Sequence, residues 1–411
     1  DLERLRKSLT VRGQRLSHVA KRRTSLVTES RPSDDARLFD VEVGETSEGH
    51  PVVMNLMRDG PHCVVSGMTG SGKTSFIVGW LSRLCNQTTL ASLEFAVIDF
   101  KGGIDFAAVA NYPHCVGFAT DLDEGAIDHA LLGLEAEAAR RERELRFGKR
   151  LVDLSRLIVI LDEYRAVAAA HPRAVGIMVD LAARGRALGI HLVLSTQRAS
   201  TSISEDILAN VPLRIAFRAL TPHESFFLVG DDRAYRELVI PGDAVVASAS
   251  GTNVKVHFTE ITSQNNEAEQ DTGADARERA PATTPAVRRL WSDPLPARIL
   301  RTEAESLPQR AHPSGRLAGE PSTTFGPRLC LGVVDARDHQ SWESAWYLPQ
   351  HDGHLLIAGT ARTGRTGTIH ALVDSARGQT GQRVTAHIIA DEVELWDWFD
   401  PRCRRSFDDA T

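Results

Sequence analysis

Residues 67–74, GMTGSGKT, fit the spacing G-x-x-x-x-G-K-[ST], with an apolar run at 62–66 before them and a helical stretch at 75–84 after. That order of strand, glycine-rich loop and helix suits phosphate binding. Glycines let successive backbone N–H groups curl around an anion, and the helix N-terminus adds partial positive charge. The candidate phosphate-binding residues are Gly67, Met68, Thr69, Gly70, Ser71, Gly72, Lys73, Thr74 and Ser75. Lys73 is placed to reach the β and γ phosphates of a nucleotide, and the Thr74 hydroxyl to meet Mg²⁺.

A second group lies at 157–163, LIVILDE, where an apolar strand delivers two adjacent carboxylates at its carboxyl end. Asp162 suits a Mg²⁺ shell and Glu163 the activation of water. A helix cap is the plainer role for such a pair, but the phosphate loop upstream favours chemistry. The strand-like run IHLVLSTQR at 190–198 ends in polar residues, and Gln197 there is a candidate sensor of a γ-phosphate. Arg184 and Arg186, in ARGRALG, are candidate arginine fingers for the nucleotide of a neighbouring subunit, with surface ion pairing as the alternative.

The elements that must position these residues alternate between short apolar runs (62–66, 93–99, 157–162, 190–196, 213–218) and longer helical stretches. This predicts a parallel sheet wrapped by helices, its strands buried on both faces. Residues 127–146 read as a helix whose charge pairs Glu137/Arg141 and Glu142/Arg146, at i,i+4, are expected on a solvated face. Residues 1–36 form a basic helical lead-in, read as a solvated connector, with a nucleic-acid or lipid surface as the alternative. Residues 263–287 almost lack large apolar side chains and read as a linker. Beyond it, 328–335, 353–359 and 383–391 are expected strands and 366–376 a helix.

The 411 residues are 42% hydrophobic and 25% charged, enough for more than one core. A net charge of −6 gives no global basic field, so nucleic-acid contact would need a local patch. No apolar run reaches the roughly 20 residues of a bilayer-spanning helix. Cys63, Cys85, Cys115, Cys330 and Cys403 show no CxxC or metal spacing and read as reduced thiols of a cytoplasmic protein. A start at Asp1 without a signal peptide and an end soon after a strand-like run lead us to expect a piece of a longer chain.

These motifs resemble the FtsK/SpoIIIE-type motor ATPases over about residues 38–262. The matches are GMTGSGKT, VIDFKGG (97–103), RRERELR (140–146), LDE, RALGIHLVLSTQR, ILANVPLRIAFR (207–218) and PGDAVV (241–246). The run 93–99 between the phosphate loop and LDE is similar to the additional-strand, catalytic-glutamate division of P-loop ATPases. DFKGG with PHCVGFATDL (113–122) looks most like the EccC-type ATPases of type VII secretion, whereas GIHLVLSTQR with ANVPLRIAFR resembles the DNA-pumping branch about equally well. After the linker, RLWSDPLP (289–296), LGVVDARDHQ (331–340) and GHLLIAGTARTGRTGTIHAL (353–372) resemble the joint and start of a second ATPase unit. Its loop, GTARTGRT, has Arg365 where lysine is required, and IIADE (388–392) corresponds by spacing to VIDF, so Asp391 and Glu392 are not a catalytic pair.

The expected fold is therefore α/β and RecA-like: a lead-in at 1–36, an ATPase domain at 37–262, a linker at 263–300 and a truncated, degenerate second unit at 301–411. The resemblance implies ATP and Mg²⁺ as cofactors and a hexameric ring that threads a polymer. An exported protein is the first cargo, with a membrane-anchored assembly through segments outside this chain. Double-stranded DNA is the alternative, and it would bring duplex binding that weakens steeply with salt. A nucleotide-gated scaffold without hydrolysis is disfavoured by Lys73, Asp162 and Glu163 together.

Overall fold

The structure is a computed structural model. It describes residues 38–123, 125–248, 253–259, 288–292, 295, 298–308, 328–336, 341–360 and 363–377, and the backbone of 24–25, 388–389 and 404–405. The basic lead-in (apart from 24–25), the linker at 263–287 and Asp391 with Glu392 lie outside the described residues. The chain divides into two compact units, Asp1–Asp293 and Pro294–Thr411.

The first unit is built on one sheet. Its strands are β1 (Thr24–Ser25), β2 (Val41–Thr46), β3 (Pro51–Met54), β4 (Cys63–Ser66), β5 (Leu93–Asp99), β6 (Cys115–Thr120), β7 (Arg156–Asp162), β8 (Ile190–Thr196), β9 (Leu213–Phe217), β10 (Asp243–Ala247) and β11 (Asn253–Phe258). Their spatial order is β1-β3-β2-β11-β10-β9-β4-β8-β7-β5-β6. The six strands from β9 to β6 run parallel. The β10, β11, β2 and β3 strands extend one side with antiparallel pairs, and β1 pairs parallel with β3 at the edge.

The five apolar runs form the expected strands because both of their faces are covered. In β7, Leu157, Val159 and Leu161 join one core, and Ile158 and Ile160 join the other. The second face is covered by α1 (Lys73–Gln87), which buries Phe76, Ile77, Trp80, Leu81 and Leu84. The first is covered by α2 (Ala126–Arg146), α3 (Tyr164–Ala170) and α4 (Arg173–Leu188), with α5 (Pro222–Val229) beside them. Strand β6 and the antiparallel β2, β3, β10 and β11 were not anticipated. Their runs are short or interrupted by glycine and charge, as in CVGFAT and VEVGET, and neighbouring strands complete them. In space, the strand between β4 and β7 is β8, not the run 93–99 that separates their motifs along the sequence.

One expectation is overturned on α2. Glu142 and Arg146 are solvated, but Glu137 and Arg141 are both fully buried. Arg141 donates to Glu137 at 2.6 Å, to the Ser155 carbonyl at 2.7 Å and to the Leu188 and Gly189 carbonyls at 3.1 and 3.3 Å. A guanidinium that satisfies otherwise orphaned loop carbonyls can be buried where a solvated ion pair has no such partners. Arg288 adds a further pair to Glu137, and Trp291 packs over Gly117 and Gly133, where a Cβ would meet the indole at 2.5 and 3.3 Å. Residues 288–292, expected to be linker, thus belong to the first unit's surface.

In the second unit, β12 (Leu329–Ala336) forms as expected and pairs antiparallel with an unanticipated β13 (Ser341–Tyr347). The α6 helix (Arg365–Arg377) coincides with the expected helix. Residues 353–359 do not form the expected strand, and Leu356 is 89% exposed. A parallel strand needs neighbours for its backbone groups. The corresponding β4 lies between β8 and β9, and no strand flanks 353–359 among the described residues. Of the run 383–391, only Ile388–Ile389 is described as strand, paired with Arg404–Arg405.

Candidate functional site

The C-terminal ends of β4, β8, β7 and β5 share one edge of the sheet. Register places Ser66 beside Thr196 and Asp162 beside Asp99. The loop after β4 is shaped by close packing. A Cβ on Gly67 would lie 2.6 Å from Phe217 Cβ, and Gly72 takes φ +102° with Gly242 N 3.0 Å from where its Cβ would stand. Gly242 N–H donates to the Ser71 carbonyl at 3.0 Å, and the Ser71 hydroxyl donates to the Met68 carbonyl at 2.7 Å. Phe76, Phe217 and Phe258 pack beneath, with ring centroids 4.2 to 5.9 Å apart.

The loop opens on a cavity of about 510 Å³ lined by Met68, Thr69, Gly70, Gly72, Lys73, Thr74 and Ser75, with Lys101 across from them. Gly67 and Ser71 shape the loop from behind. Lys73 is 5% exposed, and its ammonium donates to the Gly67 carbonyl. Burial and the nearby Lys101 charge push Lys73 down to about 8, against the pull of Asp162 and Glu163.

The acidic end is assembled around Glu163, at φ +50° the sole non-glycine residue with positive φ among the described residues. Held there between β7 and α3, its carboxylate accepts from Gln197 Nε2 at 3.1 Å and lies 3.1 Å from Lys101 Nζ. Asp162 is buried, and neither carboxylate oxygen accepts a hydrogen bond; Lys101 Nζ stands 3.5 Å away. A buried carboxylate with unused lone pairs beside a phosphate loop fits a divalent cation shared with the Thr74 hydroxyl and phosphates.

Lys101 and Asp99 were missed as site residues, although their run DFKGG was singled out as a motif. Asp99 is 1% exposed and is pushed up to about 6 by burial and by Asp162. The cysteines Cys63, Cys85, Cys115 and Cys330 are free, and burial raises their thiols, which disfavours the thiolate.

Arg184 and Arg186 are not brought to this site. Both lie at the end of α4, which turns through Gly189 into the start of β8, about 20 Å from the edge that carries Gln197. Arg184 pairs with Asp180 at 2.7 Å and Glu142 at 3.0 Å, whereas exposed Arg186 has no side-chain partner among the described residues. In the second unit Arg365 opens α6 and is exposed, unlike buried Lys73.

Sheet order and site define the class: a P-loop ATPase fold in which one strand separates the loop strand from the acidic strand. Within that class, residues 26–152 match the model of the FtsK/SpoIIIE family. Among curated relatives, the ESX secretion system protein EccC of Geobacillus thermodenitrificans is 26% identical over 392 residues, covering 84% of this chain and 26% of its own length. The ESX secretion system protein YukB of Bacillus subtilis is 24% identical over 382 residues, with 81% and 25% covered. The chain thus spans about a quarter of these relatives. The solved cytoplasmic domain of the type VII secretion ATPase EccC of Thermomonospora curvata shares the fold, with a TM-score of 0.70 at 22% identity over 89% of this chain and 46% of that one. Among the described residues no helix is long and apolar enough to cross a membrane.

Proposed function

We propose that the first unit binds Mg²⁺ and ATP and hydrolyses the nucleotide, as a motor subunit of a type VII secretion ATPase. The observation that carries this reading is the convergence of Lys73, Asp162, Glu163 and Gln197 at the ends of neighbouring parallel strands. The loop amides and Lys73 hold the phosphates. The Thr74 hydroxyl and Asp162 hold Mg²⁺, which when bound neutralises phosphate charge. Glu163 takes a proton from the attacking water, whose oxygen bonds to the γ-phosphorus as the bond to the bridging oxygen breaks, leaving ADP and phosphate. Gln197 holds the Glu163 carboxylate and faces the γ-phosphate.

The distance of Arg184 and Arg186 from their own loop supports a ring in which one of them completes a neighbour's site. Relatives named as ESX secretion proteins, and an EccC structure from T. curvata with a signal sequence peptide, favour a protein cargo over duplex DNA. We place the motor at the cytoplasmic face of a membrane, anchored through segments outside this chain. The second unit, with Arg365 in place of lysine, is assigned a degenerate site. In the assembled protein, Glu163→Gln is expected to lower kcat about 100-fold or more while a fluorescent ATP analogue still binds. Equal turnover with and without the substitution overturns the assignment.

A further inference from the structure

The turn that follows β5 holds Lys101 by its backbone and lets its side chain reach the two carboxylates. Asp99 Oδ1 accepts from Lys101 N–H at 3.0 Å and Oδ2 from Gly103 N–H at 2.8 Å, while Gly102 N–H donates to Asp121 Oδ1 at 2.9 Å. Gly102 and Gly103 take φ +80° and +76°, and a Cβ on Gly103 would meet Thr120 Cγ2 at 2.7 Å. The backbone is thus tied on three sides. The side chain is one-third exposed and lines the cavity that holds Lys73 and Thr74.

Its ammonium spans the two carboxylates of the site, 3.1 Å from Glu163 and 3.5 Å from Asp162. Glu163 receives Gln197 as well, whereas Asp162 has no hydrogen-bond donor of its own. A divalent cation binding Asp162 and a water approaching Glu163 must both contend with that charge. A singly charged ammonium on a flexible stem yields to a divalent ion that also brings phosphate ligands.

We propose that Lys101 is a positioning residue that acts as a displaceable counter-ion: it neutralises Asp162 and Glu163 before nucleotide arrives and sets how much Mg²⁺ is needed to load the site. The inference rests on the ATPase reading above, with Asp162 as the Mg²⁺ ligand. It implies a split that general damage to the fold does not produce. Without the Lys101 charge, Mg²⁺ meets less competition, while nucleotide without Mg²⁺ loses an attractive cation.

The test titrates MgCl₂ against the full chain and a fluorescent N-methylanthraniloyl-ATP, then repeats the binding in EDTA. Lys101→Met and Lys101→Gln are expected to lower the Mg²⁺ half-saturation roughly fivefold, the scale of a partly exposed ion pair. They are also expected to weaken binding in EDTA, and Lys101→Arg to stay near the parent in both. An unchanged or raised Mg²⁺ half-saturation in the two neutral variants overturns the role of Lys101 while leaving the ATPase reading intact. If the parent shows no Mg²⁺ dependence, or Asp162→Asn keeps it, the site reading falls and takes this inference with it.

Discussion

Glu163 adopts a left-handed backbone conformation at the point where β7 gives way to α3. For a residue with a Cβ this costs on the order of 1–2 kcal/mol, and such strain collects where a side chain must be aimed. Here it brings the carboxylate to Gln197 and Lys101. Glycine accepts the same backbone freely, so Glu163→Gly is expected to raise the unfolding free energy by about 1 kcal/mol while hydrolysis is lost. Urea unfolding of the two proteins side by side checks this. A destabilised variant would mean that the side chain's bonds outweigh the strain.

Among the elements, β4 and β8 are joined at their N-terminal ends by two buried imidazoles. His62 Nδ1 accepts from Leu192 N–H at 2.9 Å, and His191 Nδ1 donates to the Pro61 carbonyl at 2.8 Å. Burial pushes His62 down to about 4 and His191 to about 3, from ordinary values near 6.5. More than about one pH unit above 6.5 both are neutral in the folded and the unfolded chain and add no pH dependence. As pH falls below 6.5 the unfolded chain binds protons that the folded chain refuses, and stability is lost down to about pH 4. The two together are expected to contribute a slope approaching about 2.7 kcal/mol per pH unit, which corresponds to about two protons taken up on unfolding. Denaturation free energies measured from pH 7 to 4.5 test it, and a flat profile would contradict it.

Within the first unit, the candidate nucleotide site and the arginines at the end of α4 lie at opposite ends of the same sheet. One chain cannot bring them together, but a neighbour in a ring can. Arg186, without an internal side-chain partner among the described residues, is the better placed of the two, since Arg184 is already held by Asp180 and Glu142. Turnover per chain is therefore expected to rise with protein concentration. Mixing Arg186→Ala chains, which keep the base, with Glu163→Gln chains, which keep the arginine, is expected to restore activity that neither has alone. No recovery on mixing would remove Arg186 from the role.

That GMTGSGKT, LDE and STQR would meet at one sheet edge was legible in the sequence because each signal is local. Each follows an apolar run whose length and β-branched character predict a strand buried on both faces, and such strands deliver their last residues to one edge. What only the tertiary structure decided depends on partners distant in the chain. The burial of Glu137 and Arg141 rests on loop carbonyls near residues 155 and 188–189, which an i,i+4 charge pattern does not reveal. The failure of 353–359 to form a strand reflects the same dependence, because an apolar run becomes a parallel strand only where neighbours meet its backbone groups. Lys101 stood in plain view within DFKGG, but its charge acquired meaning only when sheet register set β5 beside β7 and brought it against Asp162 and Glu163.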